Sequence, residues 1–366
     1  MAQLSKAEDT NATVRPRNPH SAPERIPNKF SRGTDHSRIA LRLAGLGVVL
    51  LVAAAYSLML GRYHVPLSSW WGILTAPHDS GVGGIVLLEV RLPRILTGIL
   101  IGAGLSASGA AYQGLFKNPM VSPDILGASA GAGFGAAAAI LLGFNMFGVQ
   151  LASFACGLFA VMLTCAISAR MKRGGDPVLI LILAGIVVGS IFTALISLIK
   201  SVADPDNKLP AITFWLMGSL SSASLKGIRF LLPLFVVGVV PLFLLRWRLN
   251  VLSFGDEEAS ALGMDTRRLR WAIILCATLL TASAVSVAGL IGWVGLVIPH
   301  LARMFVGPDY RVLLPASLLM GATYLLLVDD LARSVFATEI SLGILTSLVG
   351  APFFLYLLLR SNKGWA

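Results

Sequence analysis

FGDEEASALGMDTRRLR, residues 254–270, carries seven charged side chains in seventeen positions and interrupts a sequence that is apolar on both sides of it. A segment so charged, set between two long apolar runs, returns the chain from one membrane span to the next. Gly255 is followed by Asp256, Glu257 and Glu258, three carboxylates in what reads as a first helical turn, where exposed backbone N–H groups favour negative charge. Leu262 then meets Gly263, which can take the left-handed conformation that ends a helix. After Met264, Asp265 can cap a second helix running through Thr266, Arg267 and Arg268. Two short helices meeting at a glycine are therefore expected. They read either as an element that a partner grips or as a solvated connector whose charges keep it out of lipid.

Outward from that loop the composition is that of a membrane protein. Of 366 residues 56% are apolar and 13% charged, against about 25% charged in soluble domains. A span of the hydrocarbon core takes about 20 apolar residues. Ten runs qualify: 39–60, 93–113, 124–143, 146–168, 177–199, 228–246, 271–289, 290–306, 312–328 and 340–359. The expected fold is an all-α bundle of about ten transmembrane helices over 39–360, with a tail at 1–38 and a short one at 361–366. The run 290–306 contains Pro299, His300 and Arg303, as a broken or partly interfacial segment would. Ten spans leave both termini on one side. With the N-terminus inside, 20 Lys and Arg fall inside and 7 outside, Arg42 and Arg229 lying near span ends, so both termini are read as cytoplasmic. The net charge of +11 follows from this bias and the basic tail, and gives no ground for a nucleic-acid partner.

Residues 1–37 are polar, without hydrophobic period, and read as disordered rather than as a cleaved signal. The external stretch 61–89 carries Tyr63, Trp70 and Trp71, suited to the headgroup level. The stretch 201–226, with Asp204, Asp206 and Trp215, reads as a second surface element. Asp329, Asp330, Arg333 and Glu339 crowd the last external connection. On the inside, Asn118-Pro119 bends the chain, and Ser122, Pro123 and Asp124 supply a cap, a first-turn proline and a dipole-matched carboxylate. Arg170, Lys172 and Arg173 with Gly174-Gly175 make another inside turn.

Small residues concentrate between 98 and 139. Gly98 and Gly102 form one GxxxG, and Gly127, Gly131 and Gly135 two in tandem, which lets helices approach closely in lipid. The Gly102, Gly104, Ala107 spacing resembles a dinucleotide fingerprint but follows no strand. Gly127-Ala128-Ser129-Ala130-Gly131 matches a nucleophile elbow but lies in a run that reads as continuous helix, so Ser129 is expected to pack. Cys156, Cys165 and Cys276 read as core filler, and His64 and His78 lack a ligand-like spacing, so no metal site is indicated. The chain contains no G-x-x-x-x-G-K-[ST] phosphate loop, so ATP and Mg belong to a partner. Nor do the span centres carry the acids a proton- or sodium-coupled carrier needs, Asp124, Asp176, Asp329 and Asp330 all falling at ends.

Several blocks in order make the sequence similar to the FecCD-type permease subunits of binding-protein-dependent ABC importers for iron(III)-siderophores, haem and cobalamin. They are Arg91-Leu92-Pro93-Arg94; the stretch 109–135 with Gln113, Asn118-Pro119, Pro123 and Gly127; Gly263-Met264-Asp265; Gly295-Leu296-Val297-Ile298-Pro299-His300; Leu331-Ala332-Arg333; and Gly350-Ala351-Pro352-Phe353. The likeness runs from about 39 to 360. It implies a type II importer permease of the bacterial plasma membrane that pairs with a second permease subunit, identical or paralogous, around a translocation path. It also implies two cytosolic ATP-binding cassette subunits gripping the loop 254–270 and a binding protein outside. By motif position Arg91, Arg94 and Arg333 would pair with acidic residues of that binding protein, against the alternative that Arg91 and Arg94 snorkel at a span entrance. For His300, packing at a proline bend is the preferred reading. The chain departs from the pattern in its long basic tail and in having Thr338 before Glu339 and Ser341 after Ile340, where prolines are common. The cargo expected is an iron(III)-siderophore, with cobalamin or haem as alternatives. A secondary transporter and an intramembrane hydrolase using Ser129 and His300 are the rival classes.

Overall fold

The computed structural model describes residues 32–61, 63–75, 81–171, 177–335 and 338–361. Residues 1–38 and 39–366 are two separate units. The tail, apart from its last residues at the start of the first helix, lies outside the described residues. So do His78, the turn at 172–176, Ala337 and the stretch 362–366.

All regular structure among the described residues is helical. In chain order it comprises α1 (Arg32–Met59), α2 (Leu67–Thr75), α3 (Gly81–Ile85), a π-helical segment (Val86–Arg91), α4 (Leu92–Leu115), a 3-10 turn (Pro123–Leu126), α5 (Ala128–Leu141), α6 (Met146–Arg170) and α7 (Pro177–Val202). There follow α8 (Lys208–Met217), α9 (Leu225–Phe254), α10 (Asp256–Ala261), α11 (Thr266–Ala288), α12 (Val294–Val306), α13 (Tyr310–Ser334) and α14 (Leu342–Ser361). Each of the ten apolar runs carries a helix. Among the described residues six helices, α1, α6, α7, α9, α11 and α13, are long and apolar enough to cross a membrane, and α5, α12 and α14 are shorter apolar helices. Side-chain caps start many of them. Asn145 accepts from Gly148 N at 2.8 Å for α6, Ser224 from Gly227 N at 3.2 Å for α9, and Asp309 from Arg311 N at 2.9 Å for α13.

α4 is the hub. Every residue from Ile101 to Leu115 is buried, and α9, α11, α12 and α13 surround it. Its glycine face brings backbones together: a Cβ on Gly102 would meet the Gly321 carbonyl of α13, and one on Gly98 would touch Leu220. Against α11 the contact is polar. Ser108 Oγ donates to the Ala277 carbonyl at 2.9 Å and lies 2.8 Å from Thr281 Oγ1, while the Tyr112 hydroxyl lies 2.9 Å from Thr278 Oγ1. Where lipid supplies no hydrophobic drive between helices, such contacts and close packing do the holding. Gly131 and Gly135 of α5 lie against α6, at Ala160 and Ala152.

Three places in the apolar runs refine or depart from the sequence reading. The run 124–143 is not one helix: a 3-10 turn capped by Ser122 ends at Gly127, left-handed at φ 83°, before α5 begins. A left-handed joint costs an L side chain about 1–2 kcal/mol, which glycine avoids. Gly127 is thus a joint as well as a close neighbour of Gly189 on α7. The run 290–306 is broken, as its composition suggested, and the break lies ahead of Pro299, which sits inside α12: Gly289 has φ 73° and Trp293 φ 69°. The Ala288 carbonyl freed at the break accepts from Ser219 N at 2.8 Å, and beside it Leu342 N at the start of α14 donates to Gly218 O at 2.9 Å, as membrane depth requires. α9 runs to Phe254, past the expected end of its span.

Candidate functional site

Three features mark the molecule: the charged loop after α9, an arginine cluster where α4 begins and α13 ends, and a groove beside α7.

In the loop, α10 opens with Asp256, Glu257 and Glu258 and closes at Gly263, whose φ is 75°. Gly263 N donates to Ser260 O at 2.9 Å and Met264 N to Ala259 O at 3.1 Å, satisfying the last carbonyls of α10. Asp265 accepts from Arg268 N at 3.0 Å and pairs with its guanidinium. What it caps is not a short second helix but the first turn of the long α11, because the apolar pattern from Leu269 onward continues without a break. Arg270 pairs with Asp256, tying α10 to α11, and Ala259 is buried beneath them. The outer side is left open: Leu262 is 68% exposed and no atom lies within 4 Å of a Cβ on Gly263. Arg267 and Glu257 are exposed beside it.

The arginine cluster turns inward. Arg91, last residue of the π segment, is 4% exposed and donates to the carbonyls of Leu58, at 2.7 Å, and Tyr63. Arg333 donates to Leu60 O at 2.8 Å, Ser57 O at 2.7 Å and Asp330 Oδ1 at 2.5 Å, and Ser57 Oγ also donates to Asp330 at 2.7 Å. Two arginines from distant helices thus cap the last carbonyls of α1. Arg94 is doubly bidentate. Its Nε and Nη2 reach Asp329, both at 2.8 Å at closest, and its Nη2 and Nη1 reach Glu339 at 2.6 and 3.1 Å. The three arginines open together, with Glu339, on a cleft of about 260 Å³. Partial burial pushes the Glu339 carboxyl up, but the hydrogen bonds and charge of Arg94 outweigh it and hold that group below its ordinary range. The sequence signal for these pairings was the crowding of acids near Arg333; the partner of Arg94, 245 positions away, left none.

The groove, about 560 Å³, lies between the 123–130 segment and α7. One wall is Gly185, Gly189, Ser190, Thr193 and Ser197; the other includes the exposed Asp124 carboxylate, which accepts from Ser122 Oγ at 3.2 Å and from Ser129 Oγ. Ser129 is therefore bonded to a carboxylate in the first turn of α5. His300 is half-buried within α12.

The family model described as the FecCD transport family matches residues 49–360. The molybdate import system permease protein MolB of Haemophilus influenzae is 41% identical over 88% of this chain and 96% of its own. A probable iron chelatin transport system permease protein of Helicobacter pylori is 41% identical over 88% and 98%. A solved ABC transporter in an inward-facing conformation superposes with a TM-score of 0.80, at 41% identity, over 88% of this chain and 99% of the other.

Proposed function

The chain belongs to the FecCD transport family and is the multi-pass membrane permease of a type II ABC importer, and on that premise we propose that it forms the translocation path for an iron(III)-siderophore. Such a permease works with an ATPase, a binding protein and a second permease subunit. The orientation proposed is that of the Lys and Arg bias: both termini and α10 on the cytoplasmic side, the arginine cluster outside. Two ATPase subunits, holding ATP and Mg, grip α10 and the start of α11. The exposed Leu262 beside the Gly263 joint supports this, since an apolar side chain in a charged loop gains by entering a partner's cleft. The binding protein docks over Arg91, Arg94 and Arg333, and the second permease subunit is a like copy or a paralogue.

The groove along α7 supports a chelated cargo over a bare ion, and the 41% identical iron chelatin permease protein favours iron among the chelates. The groove's glycine and hydroxyl lining offers many weak contacts and few traps, which suits a bulky complex whose metal is already coordinated. The one ionisable group in that lining, Asp124, disfavours a bare dianion beside it. Molybdate is the second reading, favoured by the 41% identical MolB. Cobalamin and haem fit the same lining. Uptake into proteoliposomes holding the permease, ATPase and binding protein tests the choice. Saturable, ATP-dependent entry of a ferric siderophore is expected; entry of molybdate, cobalamin or haem with no siderophore transported overturns it.

A further inference from the structure

We propose that Glu339 is a displaceable internal ligand of Arg94, holding the place of a carboxylate of the binding protein, and that docking exchanges one for the other. The inference rests on the docking reading above and adds to it which contact is exchanged and what the exchange releases.

Arg94 has no free fork: one edge is taken by Asp329 and the other by Glu339. The two carboxylates are not equivalent. The Asp329 side chain is 1% exposed and also lies 3.8 Å from Arg333 Nε, whereas the Glu339 side chain is 29% exposed and sits in the connection between α13 and α14. Removing Asp329 from its partner would strand a buried charge. Glu339 can turn into water, where a carboxylate is well solvated. Arg91 and Arg333 turn their terminal nitrogens to the end of α1 and to the buried Asp330, and neither is paired with an exposed carboxylate that could be exchanged.

Charge leads to the same residue. Arg94 and Arg333 pair with Asp329, Asp330 and Glu339, and Arg91 beside them brings the cluster to three against three, so as it stands it presents no net positive field to an acidic partner. An incoming carboxylate that replaces Glu339 restores the balance and frees a negative charge outward. Glu339 also has a second face. It accepts from Ser219 Oγ at 3.1 Å and lines, with Ser219, Ser221, Ser341 and Trp215, a neighbouring pocket of about 390 Å³. The residue thus borders both the arginine cleft and a pocket lined by serines and apolar side chains, and its withdrawal on docking opens one to the other.

The test uses the whole permease–ATPase complex in nanodiscs with its binding protein. Glu339→Gln removes the competing charge and keeps the shape; docking is expected to tighten about two- to fivefold at low salt, on the scale of a partly exposed ion pair, with the gain shrinking as ionic strength rises. With Glu339 retained, Ser341→Cys is expected to react faster with a membrane-impermeant methanethiosulfonate once the binding protein is docked. Arg94→Gln separates the two layers: undiminished docking there overturns the docking reading and the exchange with it. Docking weakened by Arg94→Gln but not improved by Glu339→Gln, or a Ser341→Cys reactivity indifferent to docking, overturns the exchange alone.

Discussion

A Cβ placed on Gly109 of α4 would stand 1.7 Å from the carbonyl oxygen of Gly295 in α12, so two helix backbones meet with no side chain between them. Neither backbone can yield, because α4 is packed on every side. Gly109→Ala is expected to destabilise by about 1–3 kcal/mol or more, the scale of overpacking. Gly47→Ala, in a helix position with nothing within 4 Å, should instead gain about 0.5–1 kcal/mol. Thermal melts in detergent compare the two, and equal melting points would contradict the packing.

Gly263 differs in kind, since its neighbourhood is empty and only its φ of 75° is at stake. Gly263→Val should leave the melting temperature of the bundle nearly unchanged, because α10 is a short peripheral element. Backbone strain of about 1–2 kcal/mol falls on the joint, so ATP-driven uptake should drop by about tenfold. Parallel assays of melting and of transport check this; full transport would count against α10 as the gripped element.

Leu262→Ser removes the exposed apolar side chain from the same loop. No packing is lost, since Leu262 is largely solvent-exposed, so stability should stay within about 0.5 kcal/mol. Co-purification of the ATPase is the measurement, and a clear reduction is expected.

The two acids on Arg94 should part in their cost. Asp329→Asn takes from a nearly buried guanidinium its buried carboxylate, leaving only Glu339, and is expected to destabilise by about 1.5–3 kcal/mol. Glu339→Gln loosens a partly exposed pair and should cost about 1 kcal/mol or less. Matching costs in thermal or denaturant unfolding would mean that burial does not distinguish them.

The Glu339 carboxyl lies below its ordinary value of 4.5 because Arg94 outweighs the effect of burial. A depressed carboxylate contributes stability that is fully present above that ordinary value and is lost as pH falls through the lower, folded one. The stability difference between wild type and Glu339→Gln should therefore hold steady around neutral pH and shrink only in acid below 4.5. A difference that vanishes near neutrality would show that the pair is not formed.

Much of this was legible in the residues. Apolar runs of span length found the helices, and the Gly263 joint and Asp265 cap follow from local backbone chemistry. What escaped depends on distant partners. The break at Gly127 is favoured by its neighbours Gly185 and Gly189 on α7, and Trp293 tolerates a positive φ because Gly350 leaves room for its side chain. The inward turn of Arg91 and Arg333 needs carbonyls from the end of α1, which no spacing within 91–94 or 331–333 reveals.

The capping of α1 has a consequence for biosynthesis. α1 buries little of its surface, so lateral apolar contact gives it only a weak hold on the bundle. Its last carbonyls wait for Arg91, about thirty residues later, and for Arg333, 273 residues beyond Leu60. During synthesis this helix is thus made long before the second of its two fastenings, Arg333, is available. A nascent chain stopped short of Arg333 carries an α1 secured by only one of its two arginines.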